Sequence, residues 1–296
     1  MANDAGIQDQ PSPEVTHTES APLGREALIA GLTYYGCLAA LPYMRGIPPA
    51  VGTLVATFLF LLLSLAIVRN IARWKLKPLH EFFLFAYPLL MWYSVTLYGA
   101  QYKAARPFVS PLESLLFLVA CAFFGRLIAR LVREKNMLLP IAVVLIMVDI
   151  FTVFVGPTGK ALEKAPDLVE KLSIGLPEVG SAAGKEGGAG LAFIGAAGLG
   201  DFIFLGFFFV ACARYGLRLD RTLWWAFALM SVAILGYLAL PDVPGIPLLP
   251  FISIGFLLAN TGMFDFSGRE KLYLAVGFVF IAVLLTIGVI LMRSIE

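Results

Sequence analysis

Two aspartates lie inside apolar stretches of this chain, and they are its most informative residues. Asp149 occurs in "IAVVLIMVDIFTVFVG", and Asp201 occurs in "AAGLGDFIFLGFFFVA", residues 196–211. An ionised carboxylate at bilayer depth is costly, so acids there are rare and are functional hypotheses by default. Because neither stretch carries a lysine or arginine at comparable depth, an ion pair would need a residue from elsewhere in the chain.

Two acids on neighbouring helices can solve this problem by sharing one proton. Like charges a few ångströms apart cannot both ionise, so such a pair holds a single negative charge. The ionised carboxylate can take a proton from water while the protonated one donates to a scissile carbonyl, which hydrolyses a peptide bond without a metal. Pumps and transporters also use buried acids. Residue types alone therefore leave an aspartyl protease and a proton- or ion-coupled membrane transporter both open.

The composition indicates which elements must position these acids. Of 296 residues, 59% are hydrophobic and 14% are charged, whereas an ordinary soluble domain carries about 25% charge. Apolar stretches of the roughly 17–25 residues needed to cross a bilayer recur along the chain. We therefore expect an all-α, polytopic transmembrane helical bundle of about nine spans. The approximate spans are 26–44, 49–68, 79–100, 109–132, 138–155, 190–213, 222–240, 246–262 and 271–292.

The breaks between the spans predict the organisation of the chain. Residues 1–24 read as a disordered polar tail, and residues 25–137 as N-terminal transmembrane helices. Residues 138–262 are expected to form the transmembrane core that carries both acids, which is the catalytic core in the protease interpretation, and it contains the one long polar loop, 156–189. A C-terminal transmembrane helix is expected over 263–296. The net charge of +2 gives no reason to expect a nucleic acid as a partner.

Basic residues predict the orientation of the bundle. They follow the second, fourth and sixth spans, and the positive-inside rule places these three connections on the cytoplasmic side and the 156–189 loop opposite. Glu81 and Arg126 lie near span ends, where structural or anchoring roles are expected. The three cysteines read as small buried hydrophobes, and neither a metal nor a cofactor is expected. The basic residues are Arg69, Arg73, Lys75, Lys77, Arg130, Arg133, Lys135, Arg214, Arg218 and Arg221.

Three segments resemble a known family of membrane proteases. "GLGDFIF", residues 198–204, resembles the second active-site motif of presenilins, and its Gly-x-Gly-Asp core also marks signal peptide peptidases. "VDIFTVFVGPTGKALEKAPDLVEK", residues 148–171, resembles the first site, although Val148 stands where the family usually has tyrosine. "IPLLPFISIGF", residues 246–256, resembles the Pro-Ala-Leu-Pro segment, with Leu248 in place of alanine. Prepilin-type peptidases also use Gly-x-Gly-Asp and remain an alternative within the same chemistry.

The resemblance covers roughly residues 140–260 and implies an intramembrane aspartyl protease with Asp149 and Asp201 as its catalytic residues. It implies transmembrane-helix proteins as substrates, a multi-pass location in the cell membrane of a prokaryote, and no cofactor. Presenilins carry the two aspartates in spans six and seven rather than five and six. This count and a cytoplasmic N-terminus give the orientation of signal peptide peptidase. The residues expected to bind substrate are Gly198, Leu199, Gly200, Pro247, Leu248 and Leu249.

The glycines and prolines near the two acids have properties that cleavage of a substrate helix would need. A substrate helix must unwind locally, and its freed backbone groups then need partners in lipid. The glycine-rich approach to Asp201 lets main chain come close, so one stretch can pair with the substrate as an added strand. Gly198 and Gly200 permit tight packing around Asp201, whereas Gly206 reads as ordinary packing between helices. Pro247 and Pro250 interrupt the backbone hydrogen bonding of their helix.

Overall fold

A computed structural model describes residues 23–44, 48–99, 105–154, 173–174, 197–239 and 247–269, with 271–272, 275–280, 283 and 286. These residues are helical apart from two two-residue strands and the short connections, which confirms the all-α prediction. The predicted tail lies outside the described residues up to position 22. The 156–189 loop also lies outside them, apart from residues 173–174.

The elements follow the chain in a simple order. Short 3-10 turns at Leu41–Tyr43 and Lys135–Met137 precede the second and fifth helices. Helical residues also occur at 268–269, 271–272, 275–280, 283 and 286. The helices are α1 Leu23–Ala40, α2 Pro49–Ala72, α3 Pro78–Gly99, α4 Arg106–Ala129, α5 Leu138–Phe154, α6 Leu199–Tyr215, α7 Leu219–Ala239 and α8 Leu249–Ala259, and the strands are β1 Ser173–Ile174 and β2 Ala197–Gly198.

Five helices of the described chain are long and apolar enough to cross a membrane. They correspond to five of the nine predicted spans and are compatible with an integral membrane protein. The helix α8 differs from its predicted span, because its 11 residues extend only about 16 Å at 1.5 Å per residue. The five helical segments are Val51–Ala72, Pro78–Gly99, Pro107–Ala129, Lys135–Val153 and Leu219–Gly236.

The helix α4 lies at the centre of the packing and contacts α1, α2, α3 and α6. It approaches α6 through a pair of glycines. A Cβ atom on Gly206 would lie 2.8 Å from the carbonyl oxygen of Ala122, and one on Gly125 would lie 2.0 Å from the carbonyl oxygen of Ile203. The two backbones therefore touch, which agrees with the packing role expected for Gly206. Such close contact suits helix association in lipid, where small residues rather than hydrophobic burial drive packing.

A buried ion cluster joins the ends of α2 and α4 to the start of α3. Glu81 is only 1% exposed, and its two carboxylate oxygens accept hydrogen bonds from Nε of Arg126 and Nε of Arg130. Arg126 also donates to the carbonyl oxygen of Ile71 at 2.9 Å. The hydrogen bond to Glu81 raises the pKa of the Arg130 guanidinium above its ordinary value. Glu81 and Arg126 therefore have the structural role that their positions near span ends suggested.

Further polar contacts bring the three basic connections to one end of the bundle. Arg69 at the end of α2 pairs with Asp220 at the start of α7 at 2.6 Å. Arg214 near the end of α6 donates to the last carbonyl oxygen of α4 at 3.1 Å. Lys135, just before α5, pairs with Asp265, just after α8, at 3.2 Å. The prediction that these connections share one side is thus confirmed. We call this side, where α2, α4, α6 and α8 end, the basic end.

Candidate active site

Asp149 lies in the second half of α5, away from the basic end, and its side chain is half-buried. The backbone N–H of Leu249 lies close enough to the carboxyl group of Asp149 to interact with it. The carboxyl oxygen Oδ2 is buried and has no hydrogen-bond partner among the described residues. The hydroxyl of Thr152 donates to the carbonyl oxygen of Asp149 at 3.1 Å. Oδ2 of Asp149 is therefore available among the described residues.

Asp201 lies at the start of a helix rather than deep inside one, which corrects the sequence-based expectation. The helix α6 begins at Leu199, because Gly198 before it is extended, with φ −72° and ψ 161°. The N–H of Gly198 donates to Oδ2 of Asp201 at 2.9 Å. Backbone N–H groups at a helix start lack partners within the helix, so an acid in the first turn satisfies one of them. Asp201 thus stabilises the start of its own helix.

Asp149 and Asp201 belong to different helices, α5 and α6. The carboxyl groups of Asp149 and Asp201 are close enough for their charges to interact. The helix α8 packs against both α5 and α6, so it connects the helices that carry them. Leu249 makes this contact directly, because its Cδ1 would lie 3.9 Å from a Cβ atom on Gly200. The three segments singled out in the sequence therefore meet at one place.

Two helix N-termini take the role that a basic side chain would otherwise have. No ion pair or side-chain hydrogen bond from a lysine or arginine reaches Asp149 or Asp201 within the described ranges. Asp201 instead lies in the first turn of α6, and the first N–H of α8 faces Asp149. A helix N-terminus carries a partial positive charge and stabilises an anion. The signals for this in the sequence were Gly198 and Pro250, residue types that favour helix starts.

The six residues predicted to bind substrate differ in how far they are buried. Leu248 and Leu249 are buried, and Pro247, Gly198 and Gly200 are half-buried. Only Leu199 among the six has an exposed side chain, at 38%. Added Cβ atoms on Gly198 and Gly200 would meet their nearest neighbours at 3.6 Å and 3.9 Å, which are ordinary contacts. Tight packing therefore does not explain these two glycines, in contrast to Gly206.

A short antiparallel sheet leads directly into the site. Ser173 pairs with Gly198, and Ile174 pairs with Ala197. Strand β2 thus ends one residue before α6 begins and three residues before Asp201. An exposed sheet edge carries backbone donors and acceptors that can pair with an added extended segment. Sequence reasoning anticipated an extended stretch here but did not identify its partner strand.

The described residues contain no cluster of three or more His, Cys, Asp or Glu side chains that could hold a metal ion. The acidic groups that the site offers are the carboxyl groups of Asp149 and Asp201. The chain matches no protein-family model, no curated protein and no solved structure. The function of the site accordingly has to be inferred from its geometry and from the motifs that the sequence carries.

Proposed function

We propose that this chain is an intramembrane aspartyl protease of the Gly-x-Gly-Asp type, with Asp149 and Asp201 as its catalytic pair. The observation that carries the proposal is that these two carboxyl groups, on separate helices, lie close enough for their charges to interact beside the N-terminus of α8. We further propose a presenilin-like bundle of about nine spans in the cell membrane of a prokaryote. Its partners would be the lipid bilayer and transmembrane-helix substrates, and the reaction needs no cofactor.

The pair performs the hydrolysis in two steps, each with two proton transfers. The ionised carboxylate takes a proton from water as the water oxygen attacks the scissile carbonyl carbon, while the protonated carboxyl gives its proton to the carbonyl oxygen. The resulting hydrate has two hydroxyl groups on the former carbonyl carbon. The acid formed in the first step then protonates the amide nitrogen, the C–N bond breaks, and a hydroxyl proton returns to the other carboxylate. The pair ends with the same single proton and single charge with which it began.

The surroundings of the pair suit an unwound substrate backbone. Local unwinding frees N–H and C=O groups, which are costly in lipid unless protein supplies partners. The sheet of β1 and β2, which ends three residues before Asp201, offers one set of partners. The first turn of α8 offers another, because N–H groups at a helix start have no partner within the helix. Leu199, the open position beside Asp201, would contact the substrate's side chains.

The test is cleavage of a single-span reporter peptide by purified protein in proteoliposomes. Asp149→Asn and Asp201→Asn each remove one proton-transfer group while keeping the shape, so each should lower the cleavage rate by about 10²–10⁴-fold. Asp220→Asn is the matched control, since Asp220 also lies in the first turn of a helix but is exposed at the basic end. It should cleave like the parent protein.

Full cleavage by either single variant at the site would refute the protease. The transporter would then be favoured if the same proteoliposomes took up protons or an ion in a way that Asp149→Asn and Asp201→Asn abolish. A parent protein that cleaves, and variants that keep their fold but do not cleave, would establish the proposal. Thermal unfolding of each variant shows whether a loss of activity reflects a loss of structure.

A further inference from the structure

We infer that this site cuts substrate helices near their extracytoplasmic ends, so that the outer fragment leaves the membrane and the cytoplasmic fragment stays. This inference rests on the proposed function and adds the depth of the cut to it. It comes from two independent distances, one along α6 and one along α5. Both measure how far the acids lie from the basic end, which the positive-inside rule places in the cytoplasm.

The first distance runs along α6. Asp201 lies in the first turn of this helix, and Arg214 lies in its last turn. About 13 residues separate them, or about 20 Å at 1.5 Å per residue. Arg214 is anchored at the basic end by its bond to the last carbonyl oxygen of α4. Asp201 is therefore about 20 Å from the cytoplasmic boundary, measured along the helix that carries it.

The second distance runs along α5 in the opposite chain direction. Lys135 stands before the start of α5 and is held at the basic end by Asp265. Asp149 follows about 14 residues later, which again corresponds to about 20 Å. Two antiparallel helices thus give the same depth for the two acids. The hydrocarbon core is about 30 Å thick, so about 10 Å remains on the extracytoplasmic side.

This depth determines the two products. A substrate helix lying alongside α6 has about 13 residues between its cytoplasmic boundary and the cut, and about 6 or 7 beyond it, at 1.5 Å per residue. A segment of about 6 or 7 apolar residues is far below the roughly 17–25 needed to span. The outer fragment therefore has too little apolar surface to remain anchored, whereas the inner fragment keeps most of its membrane segment. The substrate class is a single-span protein whose extracytoplasmic part is to be released.

The charges of the basic end are consistent with this direction of release. The basic end carries exposed arginines and lysines that hold it at the cytoplasmic surface. The acids, the sheet of β1 and β2 and the start of α8 all lie toward the other end. Water for the hydrolysis therefore has the shorter path from the extracytoplasmic side. The same path is open to the short outer product.

The first test maps the cut in a reporter with a roughly 20-residue Leu/Val span and an Arg-Arg flank on its cytoplasmic side. Mass spectrometry should place the cut about 13 residues from that flank. Inserting three leucines next to the flank should move the cut by three residues in the reporter's sequence and keep its distance from the flank. The matched insertion at the other end should leave the cut bond unchanged. A cut within about 7 residues of the flank, or a cut that stays on the same bond after the first insertion, would overturn the inference.

The second test needs no proteolysis, so it separates failure of the depth from failure of the protease. Leu199→Cys and Leu131→Cys place thiols at exposed positions, 38% and 76% exposed, beside Asp201 and at the basic end respectively. In sealed, oriented membranes a membrane-impermeant maleimide should label the Leu199→Cys variant from the extracytoplasmic side and the Leu131→Cys variant from the cytoplasmic side. The parent protein measures the background from its own cysteines. Labelling of position 199 from the cytoplasmic side would overturn the depth even if the protein cleaves.

Discussion

Replacing Gly198 by proline removes one hydrogen bond at the site and little else. The φ of Gly198, −72°, matches the value that a proline ring imposes, and Ala197 before it is extended, as a residue preceding proline must be. The ring carbon takes the place of the N–H that donates to Asp201 at 2.9 Å. The carboxylate therefore loses its donor and has to turn away. Gly198→Ala is the matched control, because it keeps the N–H and its Cβ would lie 3.6 Å from Asp201.

A hydrogen bond to a charged group contributes about 1.5–3 kcal/mol, and each 1.36 kcal/mol corresponds to a factor of ten in rate. We expect kcat of Gly198→Pro for the reporter to fall by about 10-fold to about 150-fold, with KM nearly unchanged. Gly198→Ala should stay within about twofold of the parent protein, since its new contact is of ordinary length. Single-turnover cleavage in proteoliposomes measures the rate. An alanine variant as slow as the proline variant, or a proline variant at full rate, would refute the assigned role of this N–H.

Two further predictions concern stability and are measured by thermal unfolding in detergent. Glu81→Gln leaves two arginines without their buried carboxylate and should destabilise the protein by about 3–5 kcal/mol. The control Asp220→Asn, whose side chain is 63% exposed, should lower the free energy of unfolding by no more than about 1 kcal/mol. Equal losses of stability in the two variants would contradict the burial argument. Gly206→Ala forces a Cβ atom against the backbone of Ala122 and should lower the free energy of unfolding by about 1–3 kcal/mol. The control Gly236→Ala, whose added Cβ atom would have nothing within 4 Å, should leave it unchanged. A larger loss of stability in Gly236→Ala than in Gly206→Ala would contradict the glycine contact.

Hydropathy sufficed to predict the helical class, because apolar length and the breaks between stretches are local properties of the sequence. The shared side of the three basic connections was likewise predictable, since it depends only on an even number of crossings between them. The start of α6 was not predictable in this way. Hydropathy continues without interruption through Asp201, and the helix start depends on the extended Gly198 and on a hydrogen bond that closes only in three dimensions.

The site was predictable in its residues but not in its electrostatics. Asp149, Asp201 and the segment before Pro250 stood out by residue type and by resemblance. A sequence reveals lysines and arginines as candidate balancing charges. The backbone N–H groups of Gly198 and Leu249 lie beside the acids instead. Gly198 and Pro250 favour helix starts, but their residue types do not show which acid such a start will face. The use of these N–H groups depends on where two helices begin, which is a property of the folded chain.

The long-range side-chain hydrogen bonds and ion pairs described above cluster at one end of the bundle, which affects where another helix could enter it. Apart from the Leu249 contact to Asp149, they fasten segments together at the basic end. At the other end the residues that the structure describes meet mainly through apolar contacts, which lipid chains or an incoming helix can replace at little cost. Within the described residues the bundle is thus fastened at the basic end, and its helices can separate more easily near Asp149 and Asp201. Under the proposed function, we expect a substrate helix to enter between the helices at that end.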